Sequence, residues 1–219
     1  AMGAQSVADA VKHFAGVTVR DYGGIGGLKT VSVRSLGVAH TAVSYDGVTV
    51  SNAQAGQIDV GRFALDNVEE LSLAVGQGNN LLQSARSYAS AAILDIRTQQ
   101  PAFAEGKRET WRARLAGGSF GYIAPSLRYA RKLSLRTTLM LEGDYMRADG
   151  IYPFTLDNGR TESIERRRNS DVNSWRVEGN VFHTFEDESR LTGKGYFYKS
   201  ERGLPGSVIL YNPAARERL

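Results

Sequence analysis

The sequence predicts an α+β domain over residues 1–100, followed over 101–219 by antiparallel transmembrane β-barrel strands that form part of a barrel. Three observations carry this. Before Pro101, short apolar segments are punctuated by glycine. After Pro101, polar and apolar residues alternate with the period of a β-strand over lengths suited to a membrane wall. In 135–145, Leu135, Leu139, Leu141 and Tyr145 share one face with Thr137 and Gly143, and Arg136, Thr138, Glu142 and Asp144 share the other. Aliphatic groups on one face and charges on the other fit lipid outside and water inside.

The elements follow in order. Ser6 is a candidate N-cap with Asp9 three residues on, opening a helix over 7–14 with Val7, Ala10, Val11 and Phe14 at helical spacing and Gly16 as its stop. Strands follow at 17–20 and 30–34, joined by a loop holding Gly23, Gly24, Gly26 and Gly27. Asp46-Gly47 between 42–45 and 48–50 is a strong hairpin signal. Residues 51–57 read as a polar loop, 70–76 and 92–97 as strands, and Pro101 as the linker. The second part reads as a meander of about five strands, at 110–117, 123–131, 135–145, 173–185 and 191–199. The turns at 132–134 and 186–190 are short, whereas 146–171 is a long loop; 118–122 is a short exception on the long-loop side. Short turns at one rim and long loops at the other are typical of outer-membrane barrels. Trp111, Tyr122, Tyr145, Trp175 and Phe185 near strand ends suit interfacial belts. Alternation alone also fits a soluble sandwich, although five strands leave two unpaired edges.

Composition narrows the function classes. The 219 residues carry a net charge of +4, but the arginines are scattered, a poor footprint for nucleic acid. The chain has no cysteine, so disulfides and thiolate metal sites are excluded. No apolar run reaches the length of a transmembrane helix, which does not bear on barrel strands. The start lacks a signal peptide, and the sequence reads as a piece cut at both ends. His13, His40 and His183 lie far apart without metal-ligand spacing, and the glycine cluster lacks the Lys-Ser/Thr of a phosphate loop. No catalytic constellation, metal site or cofactor motif stands out, so a soluble enzyme is disfavoured.

Four motifs stand in order: Val31-Ser32-Val33-Arg34-Ser35, Val43-Ser44-Tyr45-Asp46-Gly47-Val48, Asp66-Asn67-Val68-Glu69-Glu70-Leu71-Ser72-Leu73, and Tyr88-Ala89-Ser90-Ala91-Ala92-Ile93-Leu94-Asp95-Ile96. They resemble the I-x-I-R-G, V-x-x-D-G-V, D-x-V-E-x-I-E-V and Y-G-S-x-A-x-G-G-V-I-N-I segments of the plug domain of TonB-dependent outer-membrane receptors. The chain departs from that pattern at Ser35, at Ala91-Ala92, and at Gly76-Gln77, where many members have Arg-Gly. It is similar in this to a divergent subgroup, the cobalamin (vitamin B12) receptors of the Bacteroidetes. The resemblance implies an N-terminally incomplete plug over 1–100 and, over 101–219, the first strands of a barrel of about 22.

It also implies active uptake of a scarce nutrient across the bacterial outer membrane. A corrinoid such as cobalamin is the first expectation, and a ferric siderophore or heme the alternative. The implied partners are TonB with ExbB–ExbD, acting through a missing N-terminal segment, the small-molecule substrate, outer-membrane lipid and lipopolysaccharide, and a surface lipoprotein. Nucleic acid is not among them. A signal-transducing receptor and a lipoprotein-coupled oligosaccharide or peptide importer are readings from neighbouring classes. By the resemblance, loops 36–40 and 51–57 meet substrate, with His40, Asn52, Gln54 and Gln57 as candidates; the amides suit a neutral, amide-rich ligand. Arg34 and Asp46 on the plug, with Arg112, Arg114, Glu142 and Asp144 on the wall, are candidate plug–barrel contacts, joined by inward-facing Arg128, Arg176 and Glu178. Arg166-Arg167-Arg168 in the long loop is a candidate contact for lipopolysaccharide phosphates.

Overall fold

A computed structural model describes residues 6–22, 26–50, 57–76, 84–157, 159, 161–206 and 214–218. The chain divides into two compact units, Ala1–Gln100 and Pro101–Leu219.

The first unit starts with α1 (Val7–Val11), shorter than the sequence predicts. Ser6 caps it: its hydroxyl accepts from Asp9 N–H and donates to the Asp9 carboxylate at 2.8 Å. Burial works to raise the Asp9 carboxyl, but hydrogen bonds from Lys12 and Ser6 outweigh it and hold the group below its ordinary value of 3.8. The cap therefore adds stability above that value and loses it as the pH falls through the lower folded one. Val7, Ala8 and Val11 are fully buried, against the hairpin of β1 (Val17–Asp21) and β2 (Lys29–Val33) and the 3-10 turn Val60–Arg62.

A separate four-stranded sheet has the order β4-β3-β6-β5, with β3 (Thr41–Tyr45), β4 (Val48–Val50), β5 (Val68–Val75) and β6 (Ala92–Thr98). β3 and β6 run parallel, and the other pairs are antiparallel. Leu94 and Ile96 at 0% exposure anchor the core with Val43, Val60 and Phe63; each large apolar side chain so buried contributes about 1.5–3 kcal/mol. A short helix, α2 (Ala85–Tyr88), precedes β6 and has no periodic signal in the sequence.

Two backbone features explain motif residues. Asp46 (φ +50°) and Gly47 (φ +83°) form the left-handed pair that a tight hairpin requires. The Asp46 carboxylate also receives Thr98 N–H at 2.7 Å and the Thr98 hydroxyl at 2.6 Å, clasping the turn to the end of β6. Arg34 and Ser35 are both left-handed (φ +51° and +59°), which accounts for the glycine that the resemblance puts in place of Ser35.

The second unit is a six-stranded antiparallel sheet, order β14-β13-β12-β9-β8-β7, with a two-stranded hairpin. The wall strands are β7 (Glu109–Gly117), β8 (Ile123–Lys132), β9 (Thr137–Ala148), β12 (Val172–Thr184), β13 (Arg190–Gly203) and β14 (Arg216–Arg218). Two expectations are corrected. Leu135 (99% exposed) and Arg136 belong to the turn before β9 rather than to the strand. The long loop is structured: β10 (Pro153–Asp157) and β11 (Glu162–Arg166) pair within it. A sixth strand, β14, pairs with the end of β13.

Replacing Ser35 with glycine relieves the left-handed strain and is expected to stabilise the chain by about 0.5–1 kcal/mol. Asp46→Ala strands the buried Thr98 donors and is expected to cost about 1–3 kcal/mol. Denaturant unfolding of the two variants, read by midpoint at constant slope, checks both signs.

Candidate functional site

The wall is inside out by the standard of a soluble protein. β12 shows why: Val172, Ser174, Arg176, Glu178 and Asn180 are buried, whereas Asn173, Trp175, Val177 and Val181 between them are exposed. The register carries this alternation across the sheet. Arg128, Glu142, Glu178 and Tyr196 fall in one row of paired positions, and Ser126, Asp144, Arg176 and Tyr198 in the next. The opposite face exposes Trp111 (73%), Leu115 (72%), Leu127, Leu141, Val177 and Phe197. Buried charges facing one way and exposed aliphatic and aromatic groups facing the other are the pattern of a barrel wall rather than of a soluble sandwich.

The buried charges satisfy one another across strands. Arg128 Nε donates to Glu142 Oε2 at 3.0 Å, and Arg176 Nη2 donates to Glu142 Oε1 at 2.7 Å. Arg176 Nε donates to Asp144 Oδ2 at 3.0 Å, so one guanidinium holds two carboxylates. Further along, Lys194 Nζ lies 2.8 Å from Glu178 Oε1, which also accepts from Asn180 Nδ2 at 2.9 Å. Lys194 and Asn180 are absent from the sequence-based set; their place on the inward parity of β13 and β12 is the signal that finds them. Ion pairs this buried are worth keeping only when fully partnered, and these are cross-strand partners.

The predicted site residues separate into groups. Glu142 and Asp144 belong to the cross-strand network, paired with Arg128 and Arg176 of the wall. Arg112 and Arg114 stand on the same inward parity of β7, opposite Arg128 and Ser126, and are exposed. Arg34 is exposed in the left-handed turn after β2, and Asp46 is engaged by Thr98. His40 ends the 3-10 turn Val38–His40 and is exposed at the entry to β3. The same end of the sheet carries the last residues of β4 and β5, where Gly76 N–H donates to Ala91 O and Ala91 N–H to His40 O. Gln57 is half-buried next to Ile58 and Asp59, whose carboxylate receives Lys29 N–H at 3.0 Å at the start of β2, whereas His40 follows the end of β2. Asn52 and Gln54 lie outside the described residues. Among the described residues no group of His, Asp and Glu is arranged to hold a metal ion.

The lipid-side face ends in aromatics. Tyr145 and Trp175 sit opposite each other on β9 and β12 with ring centroids 4.4 Å apart, at the long-loop rim. His183 and Phe185 make an edge contact at 4.6 Å near the short-turn rim. Bands of this kind mark the two water–lipid boundaries.

The family model of the TonB-dependent receptor plug domain matches residues 1–87. Solved structures share the fold. The copper transporter OprC is 18% identical with a TM-score of 0.68, covering 93% of this chain and 30% of its own. The pyoverdine outer-membrane receptor FpvA of Pseudomonas aeruginosa PAO1 is 15% identical with a TM-score of 0.61, covering 91% of this chain and 26% of its own. The FrpB iron transporter of Neisseria meningitidis is 14% identical with a TM-score of 0.63, covering 90% and 29% respectively. The chain thus spans less than a third of the length of these proteins.

Arg176→Ala leaves Glu142 and Asp144 as adjacent carboxylates short of a cation, and is expected to destabilise the wall by about 3–5 kcal/mol. Arg176→Met combined with Asp144→Asn keeps the Arg128–Glu142 pair and removes the carboxylate that loses its cation, and is expected to cost less. Unfolding of both variants in detergent tests the order.

Proposed function

We propose, from the match of residues 1–87 to the TonB-dependent receptor plug domain, that this protein is an outer-membrane transport protein that imports a metal or metal chelate with energy delivered through TonB. It is a carrier and not an enzyme. The observation that carries the reading is the wall described above. An apolar, aromatic-bounded outer face lies behind a ladder of buried charges, and a plug domain precedes it in the chain. A lumen lined by charge passes polar solutes, and a plug keeps it shut until work is done on it. Among the described residues β7 and β14 each pair with one neighbouring strand, and a wall in lipid is closed by pairing both edges.

A copper transporter, a pyoverdine receptor and an iron transporter among the structural neighbours favour a metal-bearing substrate. Within that class the finer reading is a corrinoid, itself a metal chelate. It rests on the amide side chains of Asn52, Gln54 and Gln57, in a loop that the plug resemblance turns toward substrate.

Titration calorimetry of the full-length protein in detergent, with cyanocobalamin, a ferric siderophore, heme and Cu²⁺, decides among substrates. Tight binding of cyanocobalamin alone supports the corrinoid. Binding of another member of the panel keeps the transport reading and replaces the substrate. Uptake by cells is expected to stop when the inner-membrane proton gradient is collapsed while surface binding persists; unchanged uptake would overturn the TonB-driven reading.

A further inference from the structure

We propose that a row of oxygen-bearing side chains on the four-stranded sheet of the first unit binds a hard cation of calcium size. The inference stands apart from the transport reading above. Strand register builds the row. Thr49 on β4 lies opposite Ser44 on β3, Ser44 opposite Asp95 on β6, and Asp95 opposite Ser72 on β5. Paired residues share a face of a sheet, so these four stand on one face in a line across the strands. Their neighbours in sequence, Val43 and Tyr45 on β3 and Leu94 and Ile96 on β6, take the other face and are buried in the core.

The two ends of the row differ. At β4 the hydroxyls satisfy one another: Thr49 Oγ1 is 2.6 Å from Ser84 Oγ and 2.8 Å from Ser87 Oγ, at the start of α2. Across β3, β6 and β5 no such bonds form among the described residues. Asp95 Oδ1 is buried without a hydrogen-bond partner, and the hydroxyls of Ser44 and Ser72 on either side of it have none. Ser44 is only 7% exposed, so water reaches its hydroxyl poorly. Polar atoms withdrawn from water in this way are partnered in folded proteins. Neighbouring strands lie about 4.8 Å apart. Calcium takes oxygens at about 2.3–2.6 Å, so two ligands on opposite sides of one ion stand about 5 Å apart, whereas magnesium spans only about 4 Å. Carboxylate and hydroxyl oxygens are the hard donors such an ion takes. One carboxylate between two hydroxyls is a different ligand set from a cluster of His, Asp and Glu, of which the described residues hold none.

Charge points the same way. Arg97 Nε donates to Asp95 Oδ2 at 3.1 Å, and Arg97 Nη1 donates to Glu70 Oε2 at 3.3 Å. One guanidinium is thus shared by two carboxylates, which leaves the group with a net negative charge. The contact occupies Oδ2 and leaves Oδ1 unengaged. Both pairs of Arg97 are weak, because its side chain is 58% exposed. So few charges make a site of the class that binds calcium at about 10⁻⁴–10⁻³ M. The plug pattern that the chain resembles has asparagine where Asp95 stands, so the carboxylate is a departure of this chain. An ion held there would tie the parallel pair β3–β6 to the antiparallel pair β6–β5.

The test is hydrogen–deuterium exchange of the full-length protein in detergent, read on peptides from β3, β5 and β6. Exchange is measured in chelator and then with about 10 mM calcium chloride, magnesium chloride or sodium chloride at matched ionic strength. Calcium is expected to slow exchange of these strands about tenfold, the factor for a ligand at about ten times its dissociation constant. Magnesium is expected to slow it less, and sodium chloride to leave it unchanged. Asp95→Asn, and Ser44→Ala with Ser72→Ala, are each expected to lose the calcium effect while exchanging like the wild-type protein in chelator. Asparagine fits the plug pattern at this place, and circular dichroism checks that both variants are folded. Exchange unmoved by calcium, the result if water alone bridges the row, would overturn the proposal, as would slowing that persists in both variants. Equal slowing by sodium chloride would assign the effect to screening of the Arg97 pairs, and equal slowing by magnesium would overturn the size argument. No transported substrate or energised membrane enters the experiment, so its failure leaves the transport reading standing.

Discussion

The register of β9 on β12 is the constraint on which the wall depends. Twelve consecutive pairs, from Val172 opposite Ala148 to His183 opposite Thr137, run without a bulge. Because side chains change face at every residue, an unbroken ladder commits the sequence parity of each strand to one face. Glu142, Asp144, Arg176 and Glu178 can therefore meet each other, and Leu141, Tyr145, Trp175 and Val177 can line the other side. A slip of one residue in either strand would turn Glu142 or Arg176 to the apolar face, where a charge costs several kcal/mol. The ion pairs and the apolar face consequently guard the same register from opposite sides.

That dependence also explains what could be read from the chain in advance. Alternation in 123–131, 137–145 and 173–184 is long and charged enough to state both the strand and its facing, so the wall and its inward cations and anions were legible. Asp46-Gly47 announced its hairpin because few other residues accept two left-handed conformations in a row. The β10–β11 arm was not legible. β10 opens on Pro153 and alternates over only Phe154 and Leu156, and β11 carries a single apolar residue, Ile164, so neither strand shows a sustained apolar face. The helix α2 spans four residues and β14 three, too short for periodicity to register. The clasp between Asp46 and Thr98 joins residues 52 apart, a distance that no local pattern reports.

The candidate site shows the same division. Sequence parity named Glu142, Asp144 and Arg176 but not who would pair with whom; the ladder supplied Arg128 as a second partner for Glu142, and Lys194 for Glu178. Residue type alone drew attention to Arg34 and Asp46. In the folded chain one is a strained, exposed turn residue and the other a turn carboxylate held by Thr98. Chemistry-bearing residues near a glycine are often there to build the turn.

The two kinds of strand pairing in the first unit differ in how they carry mechanical load. In the β1–β2 hairpin, Val17 lies beside Val33, so the ends of the pair emerge on the same side. Tension along the chain opens such a hairpin one bond after another, like a zip. β3 and β6 run parallel, so the start of one and the finish of the other lie at opposite ends of the pair. The same tension loads all of their bonds together in shear. The unit thus has a weak link ahead of a strong one, and a pull transmitted along the backbone would peel away the first hairpin while the four-stranded sheet held.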